Sequence, residues 1–470
     1  MHPPVIHWFR RDLRLSDNTA LHAALQTKQP VLPVYILSNW KTAHRWTGSA
    51  RQQFLCNSLA SLNDSLEKLH SRLLIRSGNP VEQLRKLCIE TGATDIYTNR
   101  DPDPFGRSTE EQLAKLAREL GIKFHVFKDH ALHEQDEVLT ATGTSFRVFT
   151  PYSRAWAKLQ KLAPLGAVGS FLFYPQSLPS LPLPTLEHWN MSTFSGTLPE
   201  ASEPAAHKRL SQFLESRIIQ YANARDLPAE AGTSRISQDL RFGLISIRTI
   251  YKAVYERMQA LPLAQRQSLQ VFINELCWRE FYFQTLWKCP EVLEQEFTPA
   301  FRSMPWLHNP EAFERWTTGQ TGFPIVDAGM RQLFATGYMH NRVRMITAMF
   351  LTKDLHLDWR QGEQWFMQHL IDGEIASNNG GWQWSAGTGT DAAPYFRIQN
   401  PWTQSLRYDP DARYIKRWIP ELEHVPAERL HKAPAPGLRL VKAYPLPMLD
   451  HAAERDIALT TYKEHLARSR

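Results

Sequence analysis

The chain has 470 residues, of which 43% are hydrophobic and 21% charged, a globular composition with room for two to four domains. Its charge is modestly basic, with 54 Lys and Arg against 47 Asp and Glu, which suits a polyanionic partner without requiring one. No apolar run is long enough for a membrane span, and four scattered cysteines favour neither a disulfide framework nor a zinc site. We therefore expect a reduced, cytoplasmic protein that holds no metal ion.

The first third of the chain alternates short apolar runs with helical patterns. The apolar runs predict strands at 5–9, 31–37, 73–75, 96–97 and 124–127. Helical spacing separates them, most clearly over 50–73, 81–90 and 110–120. Such repeats predict a doubly wound parallel sheet, in which ligands bind at the carboxyl ends of the strands. This third contains no GxGxxG fingerprint, so nothing in it points to a dinucleotide.

The remainder divides into a connection and a helical part. Between residues 164 and 204 the periodicity fades and prolines accumulate, which predicts a long stiffened connection. Beyond about residue 205 helical spacing dominates, and ten of the fifteen tryptophans lie after residue 277. We therefore predict an α/β domain over 1–130, an interdomain connection over 131–204 and an all-α domain over 205–470.

The most unusual stretch is DGEIASNNGGWQW, from residue 372 to residue 384. Adjacent glycines let a backbone turn tightly or approach a ligand, and adjacent asparagines offer amides that both donate and accept. Trp382 and Trp384 are large enough to anchor a core or a site. The stretch suits a large, flat ligand with polar edges, and it equally suits a tight turn between two core helices.

Two shorter motifs combine polar and aromatic residues. TSRIS at 233–237 offers hydroxyls and a guanidinium that suit a pyrophosphate, or that equally mark the start of a capped helix. In NELCWREFY at 274–282, Glu275, Trp278 and Arg279 share one helix face. A carboxyl, an aromatic plate and a cation could hold a flipped base, although a surface ion pair beside a core tryptophan explains them as well.

A third motif follows at HNRVRM, from residue 340. Asn341 and Met345 are four residues apart and share a helix face, while Arg342 points elsewhere and could meet a phosphate. Met345 taken alone is typical of a core.

Together these motifs resemble the signatures of the DNA photolyase/cryptochrome family. The likeness includes DGEIASNNGGWQWSAGTGTDAAPYFRIQNP, GYMHNRVRMITAMFLTKDL, TSRIS and NELCWREFY, and it extends from HWFRRDLRLSDNTAL to YIKRWIPEL. The type that it resembles most is a bacterial class I cyclobutane pyrimidine dimer photolyase. This resemblance implies an α/β antenna-binding domain followed by an all-α domain that binds FAD.

The resemblance also implies a light-driven reaction on damaged DNA. Excited reduced FAD would pass an electron to a flipped-out pyrimidine dimer, the cyclobutane ring would open, and the electron would return. The partner would be DNA containing pyrimidine dimers, and we expect a monomer. A cryptochrome-type blue-light photoreceptor is the alternative, although such sensors usually carry a long C-terminal tail. A DNA-binding flavoprotein without catalysis is a third possibility on the same fold.

The family's site residues carry over to matching positions. Those implied to bind FAD are Tyr221, Thr233, Ser234, Arg235, Ile236, Ser237, Arg344, Asp372, Gly373, Glu374 and Asn378. Those implied to contact DNA are Arg225, Glu275, Trp278, Arg279, Asn341, Arg342, Met345, Trp384 and Gln404. Within these sets, Arg344 pairs with Asp372 over the flavin ring, and Asn378 faces flavin N5. Catalysis is assigned to Glu275, which bonds the lesion, to Asn378, and to an electron relay of Trp382, Trp359 and Trp306.

The resemblance further implies an antenna chromophore in the N-terminal domain. Family members that bind a folate have an Asn-Glu pair where this chain has Phe105-Gly106. Asp101, Asp103 and Arg241 instead match the deazaflavin (8-HDF) type, although the family residue at the last position is a lysine. We therefore expect a deazaflavin in preference to a folate or FMN, with a proline-stiffened loop and no second chromophore as the alternative.

Overall fold

The structure is a computed structural model that describes residues 3–38, 46–172, 174 and 177–468. Its N-terminal part is a sheet of five parallel strands in the order β3-β2-β1-β4-β5. The strands are β1 (Val5–Phe9), β2 (Val31–Leu37), β3 (Leu74–Ser77), β4 (Asp95–Asn99) and β5 (Lys123–Phe127). The helices among them are α1 (Thr19–Gln26), α2 (Ser49–Glu67), α3 (Pro80–Thr91) and α4 (Pro104–Leu120). This arrangement confirms the predicted doubly wound sheet.

Local chemistry explains where the elements differ from the predicted bounds. α2 ends six residues early, and the chain then turns through His70, which has a φ of 59°. β3 extends to the polar residues Arg76 and Ser77, because they pair with Ile36 and Leu37 of β2. α4 starts six residues early, because the Asp103 carboxylate accepts the Gly106 N–H at 2.8 Å and a proline follows it at the first helical position.

A connection with little regular structure follows the sheet. It contains α5 (Phe149–Lys158), which has no counterpart among the predicted elements, and a 3₁₀ turn at Leu186–Trp189. We propose residues 131–204 as this connection, because β5 ends just before it and the next helix begins at its end.

The rest of the described chain is helical, as predicted. The α-helices of this part are α6 (Glu203–Gln212), α7 (Tyr221–Ala224), α8 (Ser237–Phe242), α9 (Ile247–Gln259), α10 (Leu263–Lys288), α11 (Pro310–Thr317), α12 (Pro324–Thr336), α13 (Asn341–Met349), α14 (Trp359–His369), α15 (Ile375–Ala386), α16 (Pro401–Tyr408), α17 (Arg413–Trp418), α18 (Ala427–Leu430) and α19 (His451–Arg468). π-helical turns extend α6 and α13, at Phe213–Arg217 and Phe350–Asp354. Among the helices described, none is long and apolar enough to cross a membrane.

The glycine pair, for which a tight turn was one of two interpretations, lies inside α15. A Cβ on Gly380 would lie 2.2 Å from the Tyr282 ring, so the missing side chain lets α15 approach α10 closely. Gly381 has no atom within 4 Å of its Cβ position. The tight-turn interpretation is therefore wrong: one glycine allows helix packing, and the other leaves open space.

Buried polar contacts join the sheet domain to the helical domain. Arg11 follows β1 and forms a buried ion pair with Glu374, just before α15. Arg279 of α10 donates a hydrogen bond to the carbonyl of His130 at 2.6 Å. These contacts fix the position of the sheet beside helices that line a cavity.

Candidate functional site

A cavity of about 310 Å³ lies within the helical domain, and we call it the first cavity. α8, α10, α13 and α15 supply most of its wall. The predicted site residues that line it are Tyr221, Ser234, Ile236, Ser237, Arg241, Glu275, Arg279, Asn341, Arg344, Met345, Asp372, Gly373, Glu374, Asn378 and Trp382. Residues predicted from four separate motifs, and assigned to two different ligands, therefore share one wall.

An ion pair holds one side of the first cavity. Arg344 Nη2 lies 2.9 Å from Asp372 Oδ2, and Ser237 Oγ donates to the same oxygen at 2.7 Å. Arg344 Nε also donates to the Met339 carbonyl at 2.8 Å, which holds the guanidinium at a second point. The pairing of Arg344 with Asp372 expected from the resemblance is present.

Only part of the TSRIS motif reaches the cavity. Ser234, Ile236 and Ser237 line it, whereas Thr233 and Arg235 do not. Arg235 has a φ of 56°, and its guanidinium lies 3.5 Å from the centre of the Tyr338 ring, on the exposed surface. The cavity wall therefore supports the expected ligand contact for three of the five residues, and for Thr233 and Arg235 it stays a prediction.

Asn378 faces the first cavity with its amide already oriented. Its Nδ2 donates one N–H to the Glu363 carbonyl at 3.0 Å, which orients the amide and leaves its oxygen and its second N–H for a ligand. The neighbouring Asn379 donates to the Glu363 carboxyl at 3.0 Å and to the Val292 carbonyl at 2.9 Å, so it has a structural role. Burial raises the pKa of Glu363 to about 8, so this carboxyl is largely neutral at pH 7.

The three tryptophans predicted as an electron relay differ in their exposure. Trp382 lines the cavity and Trp359 is completely buried, whereas Trp306 is partly exposed. The buried Glu296 carboxylate accepts hydrogen bonds from Trp359 Nε1 at 3.2 Å and from Trp306 Nε1 at 3.4 Å. No motif marks Glu296 in the sequence, because the tryptophans that it joins lie 10 and 63 residues away along the chain.

The predicted DNA-contact residues fall into three groups. Glu275, Asn341 and Met345 line the cavity, whereas Trp278, Trp384 and Gln404 are partly exposed and lie outside its wall. The third group is the arginines, considered next.

Two of the arginines share an acidic partner. Arg225 pairs with Glu275 and lies 4.0 Å from Asp226, to which Arg342 also binds, at 2.8 Å. Arg279 differs, because it lines the cavity and donates inward to the His130 carbonyl, and burial lowers its pKa to about 10. The expected phosphate contact of Arg279 stays a prediction, and Arg225 and Arg342 are the stronger candidates for that role.

A second cavity of about 450 Å³ lies at the carboxyl ends of β1 and β2, as expected for a doubly wound sheet. Asp101 lines it, but its carboxylate binds Arg11 at 2.8 Å and approaches Arg10 at 3.5 Å. Burial raises the pKa of Asp101, but the two arginines outweigh this effect and hold the pKa below its usual value.

The other two predicted antenna residues lie outside the wall of the second cavity. Asp103 caps α4, and its second oxygen lies 3.7 Å from Arg11. Arg241 belongs to the first cavity, where its Nε donates to the Gly373 carbonyl at 2.8 Å. The antenna role of Arg241 stays a prediction, although α8 places this side chain in the wall of the first cavity.

The first cavity is suited to a large ligand such as FAD. Its volume lies at the lower end of the range typical of ligand sites, and its wall combines apolar and polar side chains. Trp382 Nε1 is buried without a hydrogen-bond partner among the described residues. Gly381 leaves open space in the same wall. No group of three or more His, Cys, Asp or Glu residues in the described part of the chain could hold a metal ion.

Two family models match the chain. Residues 5–169 match the DNA photolyase model, and residues 272–464 match the FAD binding domain of DNA photolyase. A deoxyribodipyrimidine photo-lyase of Agrobacterium fabrum is 40% identical over 98% of this chain and 97% of its own length. Such full-length relatives confirm the prediction of a photolyase-type enzyme.

Three solved structures share the fold. A bacterial class III photolyase from Agrobacterium tumefaciens has a TM-score of 0.91 at 39% identity, over 99% of this chain and 98% of its own. An archaeal photolyase from Sulfolobus tokodaii with two FAD molecules has a TM-score of 0.85 at 32% identity, over 98% and 100%. A Synechocystis sp. PCC6803 cryptochrome has a TM-score of 0.89 at 30% identity, over 98% and 100%. Because one of these is class III, the class I assignment stays a prediction. Since its cavity, its domain order and its full-length relatives agree, the chain belongs to the DNA photolyase/cryptochrome family.

Proposed function

We propose that the protein repairs cyclobutane pyrimidine dimers in DNA by light-driven electron transfer from FAD in the first cavity. The observation that carries this proposal is the shared wall of that cavity. It includes Arg344 and Asn378, which the resemblance assigns to the flavin, beside Glu275 and Met345, which it assigns to the lesion. A flavin and a flipped base bound there would be neighbours, as direct electron transfer requires. The names of the relatives support the same reaction.

The chain's own residues would hold the flavin from three sides. Ser234 and Ser237 present hydroxyls to the phosphate and ribitol part, and the Arg344–Asp372 pair covers the ring. The Asn378 amide oxygen would accept a hydrogen bond from the ring edge. When bound, reduced FAD supplies the light-excited electron that opens the cyclobutane ring and recovers it afterwards, so the reaction consumes no reductant.

The lesion would enter the same cavity beside Glu275, Asn341 and Met345, the lining residues expected to contact DNA. A dimer is poorly stacked, so extruding it from the duplex costs less than extruding a normal base. Glu275, held by Arg225, would hydrogen-bond the pyrimidine edge, while Trp278 and Trp384 offer aromatic surfaces for stacking. Gln404 of α16 would contact the DNA backbone beside them.

Phosphate binding is assigned to Arg225 and Arg342. A DNA phosphate would replace Asp226 as the shared partner of these arginines. We expect Arg342→Gln to weaken binding to damaged and intact DNA alike, and to lower the slope of log affinity against log salt by about one unit. The exposed Arg455, on α19, provides a matched Arg→Gln control. An unchanged salt slope in Arg342→Gln would remove this contact from the proposal.

The proposed reaction is tested by a repair assay on a thymine dimer placed in duplex and in single-stranded DNA. We expect blue light to restore intact thymines, and we expect no repair in the dark. Light-driven changes of the flavin without repair would favour the photoreceptor alternative, which the similarity to a cryptochrome supports. Binding of damaged DNA with neither response would favour the non-catalytic flavoprotein.

We further propose that the second cavity binds an antenna chromophore, for which a deazaflavin remains the first candidate. Its position at the strand ends supports a ligand, and Asp101 in its wall supports a polar ring edge. The archaeal neighbour with two FAD molecules makes a flavin the main competitor. Purified protein should be reconstituted with a deazaflavin, a folate, FMN and FAD, followed by excitation spectra for repair. Energy transfer from any of the other three, with no deazaflavin uptake, would overturn the choice.

A further inference from the structure

Trp278 already has an aromatic partner in the free protein. The ring of Phe149 lies 3.7 Å from the ring of Trp278, at an interplanar angle of 7°, which is a face-to-face stack. Phe149 is buried, whereas Trp278 remains partly exposed. One face of the Trp278 ring is therefore covered, and a base can stack only on the other.

The segment that carries Phe149 is held rigidly against the helical domain. The N–H of Phe149 donates to the Asp391 carboxylate at 3.3 Å, and the Arg147 carbonyl accepts from Thr390 Oγ1 at 2.8 Å. Val148, which precedes α5, has no side chain that can cap the helix, so Asp391 caps it from the loop after α15. The same loop follows Trp384 in the chain.

The aromatic surroundings complete the support. Phe281 meets the rings of both Phe149 and Trp278 at steep angles, at 5.9 Å and 5.6 Å. Tyr282 also lies 5.6 Å from Trp278, at 33°, so contacts with three rings restrict the tilt of the indole. An indole ring that is already held in place loses little conformational entropy when a base stacks on it.

We propose that Phe149 is a positioning residue for lesion recognition, which backs Trp278 and leaves it a single face for the flipped base. The inference rests on the proposed function, because it assumes that Trp278 stacks on the lesion. Phe149 itself touches no DNA in this arrangement. It belongs to the connection between the domains, which the sequence did not link to the DNA site.

The test compares affinities for a duplex with one thymine dimer and for the same duplex undamaged, by fluorescence anisotropy in the dark. We expect Phe149→Leu to lower the ratio of these affinities by about three- to tenfold, the size expected for losing one aromatic pair. Phe149→Tyr, which restores a flat ring, should recover most of the ratio. Phe146→Leu is the matched control, because Phe146 packs against Tyr152 and not against Trp278.

Each outcome decides between this inference and the proposed function. A wild-type ratio in Phe149→Leu, together with a lowered ratio in Trp278→Ala, would overturn the inference alone. A wild-type ratio in both would remove the stacking role of Trp278 itself. Equal losses on damaged and intact DNA in Phe149→Leu would mean a general structural effect and would also overturn the inference. If Phe149→Leu does not fold, Phe149→Met makes the same comparison with a flexible apolar side chain.

Discussion

Asn378 is the residue through which the first cavity would control the flavin's reduction. One N–H of its amide is bound to the Glu363 carbonyl, which orients the side chain, and its oxygen has no partner among the described residues and could meet the ring edge. We expect Asn378→Ser to hold less fully reduced flavin than wild type, because the shorter hydroxyl withdraws that acceptor from the ring. The measurement is the flavin absorption spectrum under equal light and reductant. Ser377→Ala, in the same wall, is the control, and equal reduction in Asn378→Ser would contradict the role.

Glu363 should make the stability of the protein depend on pH. Burial raises its pKa from 4.5 to about 8, so between these values the folded protein keeps a proton that the unfolded chain has released. Stability is therefore lost as pH rises through this window, at up to about 1.4 kcal/mol per pH unit. We expect Glu363→Gln to unfold in denaturant with a smaller difference between pH 6 and pH 8. The exposed Glu311 provides the control substitution, and an unchanged pH dependence in Glu363→Gln would refute the shift.

For single residues, a sequence motif predicts which chemical groups a site contains more reliably than it predicts where each side chain points. The Arg344–Asp372 pair could be expected because both residues lie in family motifs, and the structure contains it. Arg241, Arg235 and Arg279 carry equally suitable groups, but their directions could not be foreseen. Arg241 points into the first cavity, Arg235 lies at the surface, and Arg279 donates inward to the His130 carbonyl. Side-chain direction depends on local φ and on partners far away in sequence, neither of which a motif records.

Two adjacent glycines of α15 differ in the space around them: Gly380 is tightly packed, whereas Gly381 faces open space. We expect Gly380→Ala to lower the free energy of unfolding by about 1–3 kcal/mol, because its Cβ would lie 2.2 Å from the Tyr282 ring. Gly381→Ala has open space and should stabilise the flavin-free protein by up to about 1 kcal/mol through helix propensity. Because Gly381 lines the first cavity, its alanine variant should also bind FAD more weakly.

Denaturant unfolding of both flavin-free variants checks the signs, and FAD titration checks the second effect. Equal destabilisation by the two substitutions would mean that α10 and α15 do not pack as described.

The elements themselves show why prediction succeeded for the strands and failed at this helix. β1 is buried along its whole length, so its apolar run marks it in the sequence. α15 contains paired glycines and paired asparagines, which are poor helix formers and favour a turn. Its helical state depends on contacts with α10 and α14 that the sequence does not display.

Across the whole molecule, the three tryptophans predicted as an electron relay range from the cavity wall to a partly exposed position. We expect Trp306→Phe to bind FAD and to repair DNA when reduced beforehand, but to lose most photoreduction by an external donor, because phenylalanine is much harder to oxidise than tryptophan. Trp306 is the partly exposed member and shares the Glu296 carboxylate with Trp359. The measurement is the rate of flavin reduction under blue light with a thiol donor.

Trp418→Phe, at a partly buried tryptophan outside the relay, is the matched control for the same change of side chain. Undiminished photoreduction in Trp306→Phe would show that electrons enter by another route.

The ion pair between Arg11 and Glu374 limits how this architecture can be recombined. Arg11 belongs to the wall of the second cavity and Glu374 to that of the first, and both side chains are withdrawn from water. A chimera that takes its sheet domain from another family member would leave a buried carboxylate without its cation unless the donor supplies an arginine in register. Antenna domains can thus be exchanged only between relatives in which the sheet domain supplies the arginine and the helical domain supplies the glutamate.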